Sequence, residues 1–290
     1  MDIRQVFCAG AGLMGSGIAQ VVAMSGRRVT LMDVRQEALD KALASIAWSL
    51  DKFVQKAQLK PADREAVLER IIPTLSMEAA AAADFVIEAV FENKAVKQDV
   101  FRELDRLCQP HVILATNTSS IPVTELAQVT SRPDRVIGTH FFSPVPLMPL
   151  CEVVRGLATS DETLDTARSF VESLGKETIV VNRDLAGFAL NRINVLSTIE
   201  AIRLVEAGVV NHEDVDKGMR LGFGRRMGPF ETMDLTGLDV SLAVMTTIFD
   251  ETKDSRFWPP DLLRRKVALG HLGRKTGRGW YVYEGNGQGA

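Results

Sequence analysis

The stretch Ile3-Arg4-Gln5-Val6-Phe7-Cys8-Ala9-Gly10-Ala11-Gly12-Leu13-Met14-Gly15-Ser16-Gly17-Ile18 decides how the chain is read. Ile3 to Ala9 is short and β-prone, and the turn Gly10-Ala11-Gly12-Leu13-Met14-Gly15 follows it directly. Ile18, Val21 and Val22 then recur at helical spacing until Gly26 stops the run. A second β-prone run, Arg28 to Met32, ends on Asp33. A G-x-G-x-x-G pattern alone says little. One that leaves a strand, opens a helix and precedes an acid at the tip of a second strand is the arrangement that binds a dinucleotide. Gly10 permits the tight turn, Gly12 lets backbone approach a pyrophosphate, and Gly15 lets helix and strand pack closely. The helix start, with Leu13 and Met14, turns N–H groups and a partial positive charge toward the phosphates. Asp33 accepts hydrogen bonds from the adenosine ribose and repels a 2′-phosphate, which favours NAD over NADP; Arg35 pulls the other way.

The same region imitates a membrane span, because Val6 to Gly26 carries no charge. Its glycines and Gln20 make a poor apolar helix, and Asp2 spoils a signal-peptide start. The expectation is a chain with no membrane partner, located in the cytoplasm. Its 290 residues are 46% hydrophobic and 24% charged, the balance of a globular protein with a substantial core. With 34 Lys+Arg against 37 Asp+Glu, no basic stripe for nucleic acid is expected. Three cysteines fit reduced thiols better than a disulfide framework.

Farther along, strand-like runs alternate with helical ones. Asp84 to Val90 and Val112 to Thr116 suit buried parallel strands, with an amphipathic helix from Lys94 to Leu107 between them. Arg135 to Phe142, Cys151 to Arg155 and Glu177 to Val181 read as later strands, and Leu164, Ala167, Phe170, Val171 and Leu174 form a helix face before the last. From Phe188 the character is helical almost throughout. The expectation is an α/β fold: an N-terminal Rossmann doubly wound sheet over residues 1–184 and an all-helical C-terminal domain over 185–290, ending in a Gly-rich tail at Gly285 to Gly289. The stretch from Leu39 to Pro73 reads as an insertion of two polar helices broken by Pro61. Periodicity leaves it equally a substrate cover or a solvated hairpin.

A dehydrogenase acting on an alcohol needs a base for the hydroxyl proton. Of the four histidines, His111, His212 and His271 read as surface or capping residues. His140 closes a strand, where open α/β sheets bind ligands, and a Pro-rich loop separates it from Glu152. A carboxylate on one ring nitrogen would fix the tautomer and raise the basicity of the other. Spacing alone leaves His140 as either a structural residue or a base. No His/Cys/Asp/Glu group has metal-ligand spacing, and Cys8, Cys108 and Cys151 read as core. Gly273-Arg274-Lys275-Thr276 lacks the spacing of a phosphate loop.

Glu92-Asn93 with Lys97, Asn117-Thr118-Ser119-Ser120, His140-Phe141-Phe142-Ser143-Pro144 with Glu152, Gly187-Phe188 with Asn191-Arg192, Met227-Gly228-Pro229-Phe230-Glu231, and Lys275-Thr276-Gly277 with Gly279 together carry a resemblance. Over nearly its full length the chain resembles the L-3-hydroxyacyl-CoA dehydrogenase family, including the stand-alone 3-hydroxybutyryl-CoA dehydrogenases. The resemblance implies NAD-dependent oxidation of an (S)-3-hydroxyacyl-CoA, with the active site between a Rossmann domain and a helical domain that makes a homodimer. It implies His140 as the base and Glu152 as its orienting partner, with Ser119 and Asn191 hydrogen-bonding the reacting part of the substrate. Glu92, Lys97, Ser119 and Lys275 match positions near NAD, and Ser49 and Lys56, on the inserted helices, match positions that touch coenzyme A. Two departures stand out. Ser143 replaces a common Asn at a cofactor-contacting position, and Arg225-Arg226 replaces an aromatic-Pro pair. Those arginines read as solvated surface or as a receptor for a terminal carboxylate on the acyl chain. A free hydroxy-acid dehydrogenase and a non-catalytic NAD-binding protein are the competing readings.

Overall fold

The computed structural model describes residues 2–283, so the Gly-rich tail lies outside the described residues. The chain divides into two compact units between Asp184 and Leu185.

The first unit is built on one sheet. β1 (Gln5–Ala9), α1 (Leu13–Met24) and β2 (Arg28–Met32) open it, with β1 and β2 parallel. Two helices, α2 (Gln36–Gln55) and α3 (Pro61–Glu69), carry the chain to β3 (Ile71–Thr74), parallel to β2. The chain then crosses to the far side of β1. There β4 (Phe85–Glu88), α4 (Lys94–Leu107), β5 (Ile113–Thr116), α5 (Val123–Ala127) and β6 (Val136–Phe141) extend the parallel sheet. Residues 142–149 link β6 to β7 (Leu150–Arg155) without a helix. That link is too short for a parallel crossover, and β7 pairs antiparallel to β6. α6 (Asp161–Ser173) leads to β8 (Glu177–Val181), parallel to β7.

The resulting order is β3-β2-β1-β4-β5-β6-β7-β8. The winding direction switches between β1 and β4, which opens a crevice at the carboxyl ends of the strands. β4, β5 and β6 are buried along their whole length, as expected for parallel strands covered on both faces. α4 shows why a polar sequence still makes a fixed helix. Asn93 caps it, its side chain accepting from Val96 N at 3.1 Å, and Phe101 and Leu104 bury one face.

The stretch from Leu39 to Pro73 forms the two expected helices, with Pro61 opening the second. It is the crossover between neighbouring strands, and its last residues form β3. Leu39, Ala42, Ile46 and Leu50 make a continuous buried face of α2 in the core of the unit. Pro73 survives in β3 because that strand is the edge of the sheet, where a missing N–H costs no ladder bond.

The second unit is helical among the described residues: α7 (Leu190–Glu206), α8 (His212–Phe223), α9 (Pro229–Thr236), α10 (Leu238–Thr252) and α11 (Asp261–Ala268). Val195, Ile199, Ile202, Phe230, Met233, Leu238, Ile248, Phe257, Leu263 and Trp280 form its core. Among the described residues no single helix is long and apolar enough to cross a membrane.

Candidate active site

The turn after β1 has no room for side chains where the sequence places two of its glycines. Gly10 has φ of +105°, and a Cβ there would lie 2.5 Å from the Ala89 carbonyl oxygen. A Cβ on Gly15 would lie 1.7 Å from the Gly10 carbonyl oxygen. Gly12 differs, because a Cβ there would meet nothing within 4 Å. It leaves open space beside the first turn of α1, whose N–H groups no side chain caps. That combination fits a pyrophosphate.

Asp33 is held in place at the tip of β2. Its Oδ2 accepts from Ala11 N at 2.9 Å and its Oδ1 from Arg35 N at 3.1 Å. A cavity of about 520 Å³ begins at Gly10, Gly12, Leu13, Met14 and Asp33 and is walled by Val34, Ala89, Val90, Phe91 and Val96. An apolar slot beside an anchored carboxylate suits the adenosine half of NAD, with the base on the apolar wall and the ribose on Asp33.

Behind this crevice lies a charge cluster that the sequence reading found only in part. β4 ends on fully buried Glu88, and Lys97 on α4 is 1% exposed. Lys97 Nζ donates to Glu88 Oε1 at 2.7 Å and to the Val90 carbonyl at 3.2 Å, and lies 3.2 Å from Glu92 Oε2. Thr116 Oγ1 donates to Glu88 Oε2 at 2.6 Å. Glu92 in turn accepts from Thr118 Oγ1, from Ser119 N at 3.1 Å and from Ser120 Oγ at 3.0 Å. Burial pushes the Glu92 carboxyl up, but the Lys97 ammonium and these donors outweigh it and hold it below the usual carboxylate range. Lys97 therefore ties β4, the loop after it and, through Glu92, the loop bearing Ser119. The signal for Glu88 was a lone carboxylate closing the apolar run Phe85-Val86-Ile87.

His140 and Glu152 are directly opposed in the β6–β7 register. Opposed residues of an antiparallel pair project to the same face, and His140 Nδ1 stands 2.7 Å from Glu152 Oε2. The two side chains are 8% and 0% exposed. An ionised carboxylate only accepts, so against an ionised Glu152 the Nδ1 would carry the hydrogen and leave Nε2 as the accepting nitrogen of a neutral ring. The Phe142 ring packs 4.7 Å from the imidazole, and Asn117 Oδ1 accepts from Phe141 N at 2.9 Å, tying the end of β6 to the Ser119 loop. Ser143 is exposed just past β6. β1, β4, β5 and β6 are parallel, so the glycine turn, Glu92, Ser119, His140 and Ser143 all lie toward one end of the sheet. Cys8 packs under the glycine turn, its Sγ 3.6 Å from the Gly15 carbonyl oxygen, and all three cysteines are buried. Burial pushes the Cys8 thiol up to about 12 and Cys108 to about 11, and raises Cys151 as well.

Elsewhere in the first unit, Ser49 is half-buried on α2 and Lys56 is exposed at the end of that helix, one heptad on. In the second unit, Asn191 sits in the first turn of α7. Lys275 Nζ pairs with both oxygens of Asp239, at 2.6 and 2.7 Å. His212 follows the helix cap Asn211, but its ring packs 4.8 Å from Tyr281 and 5.9 Å from Phe230 rather than lying on open surface.

Two buried carboxylates in this unit escaped the sequence reading. Asp216 accepts from Phe230 N, Glu231 N and Tyr281 Oη at 2.9, 2.9 and 2.7 Å. Asp234 accepts from Trp280 N, Tyr281 N and Tyr283 Oη at 2.8, 2.9 and 3.0 Å. A Cβ on Gly228 or on Gly279 would lie 2.1 Å from an oxygen of Asp216 or Asp234, respectively. These motif glycines thus make room for structural carboxylates.

Residues 5–185 match the NAD binding domain of 3-hydroxyacyl-CoA dehydrogenase, and residues 187–283 match its C-terminal domain. The chain belongs to the 3-hydroxyacyl-CoA dehydrogenase family. It is an NAD-dependent dehydrogenase. A probable 3-hydroxybutyryl-CoA dehydrogenase of Bacillus subtilis is 45% identical over 98% of this chain and 99% of its own length. A 3-hydroxybutyryl-CoA dehydrogenase of Bradyrhizobium diazoefficiens is 41% identical over 98% and 96%. Among solved structures, (S)-3-hydroxybutyryl-CoA dehydrogenase from Ralstonia eutropha superposes with a TM-score of 0.93 at 44% identity, covering 98% of this chain and 100% of that one. Family membership and the doubly wound sheet agree with the sequence resemblance.

Proposed function

We propose that the chain interconverts a short (S)-3-hydroxyacyl-CoA, such as 3-hydroxybutyryl-CoA, and its 3-oxoacyl-CoA, with His140 as the base. The observation that carries this reading is the His140–Glu152 pair, buried and opposed across two strands at the same end of the sheet as the dinucleotide turn. In oxidation His140 Nε2 takes the C3 hydroxyl proton, and Glu152 holds the ring in the required tautomer and stabilises the imidazolium that forms. NAD, when bound, supplies the hydride acceptor. In the reverse direction the imidazolium returns the proton.

Ser119 and Asn191 hydrogen-bond the reacting part of the substrate. Gly10, Gly12, Leu13, Met14, Gly15 and Asp33 hold the adenosine and pyrophosphate of NAD, while Glu92, Ser143 and Lys275 lie near the cofactor and Lys97 serves it by fixing Glu92. Lys56 meets a coenzyme A phosphate as a point charge, with Ser49 beside it on α2. The second unit, residues 185–290, forms the homodimer contact; exposed Val209, Leu221 and Phe223 support this. The three thiols, all free, fit a cytoplasmic setting.

The test is loss of NADH absorbance with acetoacetyl-CoA, repeated with NADPH and with free acetoacetate. Turnover confined to NADH and the thioester is the expected result. Turnover of the free acid would move the chain to a hydroxy-acid dehydrogenase, and NAD binding without any turnover to a non-catalytic role.

A further inference from the structure

The second unit contains a cavity of its own. About 240 Å³ lies between α7, α9 and α10, its lining a mixture of apolar side chains such as Val195, Met233 and Met245 and polar ones such as Thr198 and Thr232, with Asn191 and Arg225 also present. The apolar part of the lining suits a hydrocarbon chain, and Asn191 is the residue assigned above to the reacting part of the substrate. Arg225 stands exposed at the edge of the cavity. It belongs to the turn between α8 and α9, and its guanidinium makes no ion pair or hydrogen bond with the described residues. The carboxylates flanking that turn are already engaged. Glu231 pairs with Arg220 and accepts from Gly228 N, and Asp216 is saturated by two backbone N–H groups and Tyr281. An exposed guanidinium with no protein partner at the edge of this cavity adds nothing for a methyl-ended chain. It is well shaped to bind a carboxylate through two parallel hydrogen bonds. Arg226, next in sequence, does not line the cavity.

We infer that Arg225 selects acyl-CoA substrates whose chain ends in a carboxylate, and that Arg226 has no part in the selection. This rests on the activity proposed above and names its substrate class. A site built to hydrogen-bond a polar group discriminates strongly against the analogue lacking it.

The test compares kcat/KM for two thioesters of equal chain length, 3-oxoadipyl-CoA and 3-oxohexanoyl-CoA, with the full chain and NADH. The wild type favours the carboxylate-ended substrate. Arg225→Ala lowers the ratio of the two kcat/KM values at least about 10-fold, the loss expected for a charged hydrogen-bonded pair. Arg225→Lys retains part of the ratio, and Arg226→Ala leaves it unchanged. Thermal melts establish that each variant is folded. A wild type that turns over only the methyl-ended substrate, or shows no preference, overturns the inference while leaving the proposed activity standing. Equal loss of the ratio in both alanine variants overturns it too. Failure of both thioesters overturns the activity and the inference together.

Discussion

Both units bury carboxylates, and they answer the burial differently. In the first unit, Glu88 meets a lysine and Glu152 meets a histidine, so charge is set against groups that can carry or exchange a proton. In the second, Asp216 and Asp234 meet backbone N–H groups and tyrosine hydroxyls. Burial raises the Asp216 carboxyl even so, against the pull of those three donors. The difference separates two uses of one side chain. A carboxylate encircled by amides closes a helix start or a turn; one that faces a titratable partner can orient chemistry.

The comparison is broken most severely at Lys97. Lys97→Met leaves Glu88 as an uncompensated buried charge and should cost about 3–5 kcal/mol in denaturant unfolding. A cost below about 1 kcal/mol would mean that water or a protonated Glu88 readily replaces the pair. Asp234→Asn should be milder. It leaves at least one of the N–H groups of Trp280 and Tyr281, or the Tyr283 hydroxyl, without its acceptor, at roughly 1–3 kcal/mol. An unchanged melting temperature would show that the amide satisfies all three.

Smaller changes sharpen the account without breaking the fold. Asp33→Ala removes the ribose acceptor and the repulsion of a 2′-phosphate, so the preference for NADH over NADPH should fall about 10-fold, the worth of roughly one hydrogen bond. An unaltered preference would assign that choice to Arg35 and its surroundings. The smallest effect concerns acid. The folded-state carboxyl of Glu92 lies below its ordinary value, so its stabilising contribution is complete above the ordinary glutamate range. That contribution is lost as pH falls through the depressed value. Glu92→Gln should therefore flatten the acid limb of the stability curve and leave stability's slope near neutral pH as it is.

Much of the first unit was legible because its signals are local. The glycine turn and the apolar runs each state their structure within a few residues. β3 was missed because Ile71 to Thr74 is short, half-exposed and contains a proline, which only an edge strand tolerates. α2 read as polar because its buried face is one narrow stripe among charged residues. In the site, spacing leaves His140 as a structural residue or a base, and it is the family resemblance that joins it to Glu152. Glu88, Asp216 and Asp234 were missed, since their partners lie on other elements; Trp280, for instance, is 46 residues from Asp234. No periodicity carries a contact of that kind.

The central claim is that the pair on β6 and β7 moves the proton. The direct measurement is acetoacetyl-CoA turnover by His140→Ala alongside NADH binding by fluorescence. The pair predicts retained NADH binding with turnover reduced roughly 10²–10⁴-fold, the range that general acid–base catalysis contributes. Near-normal turnover in the folded, NADH-binding variant would contradict it.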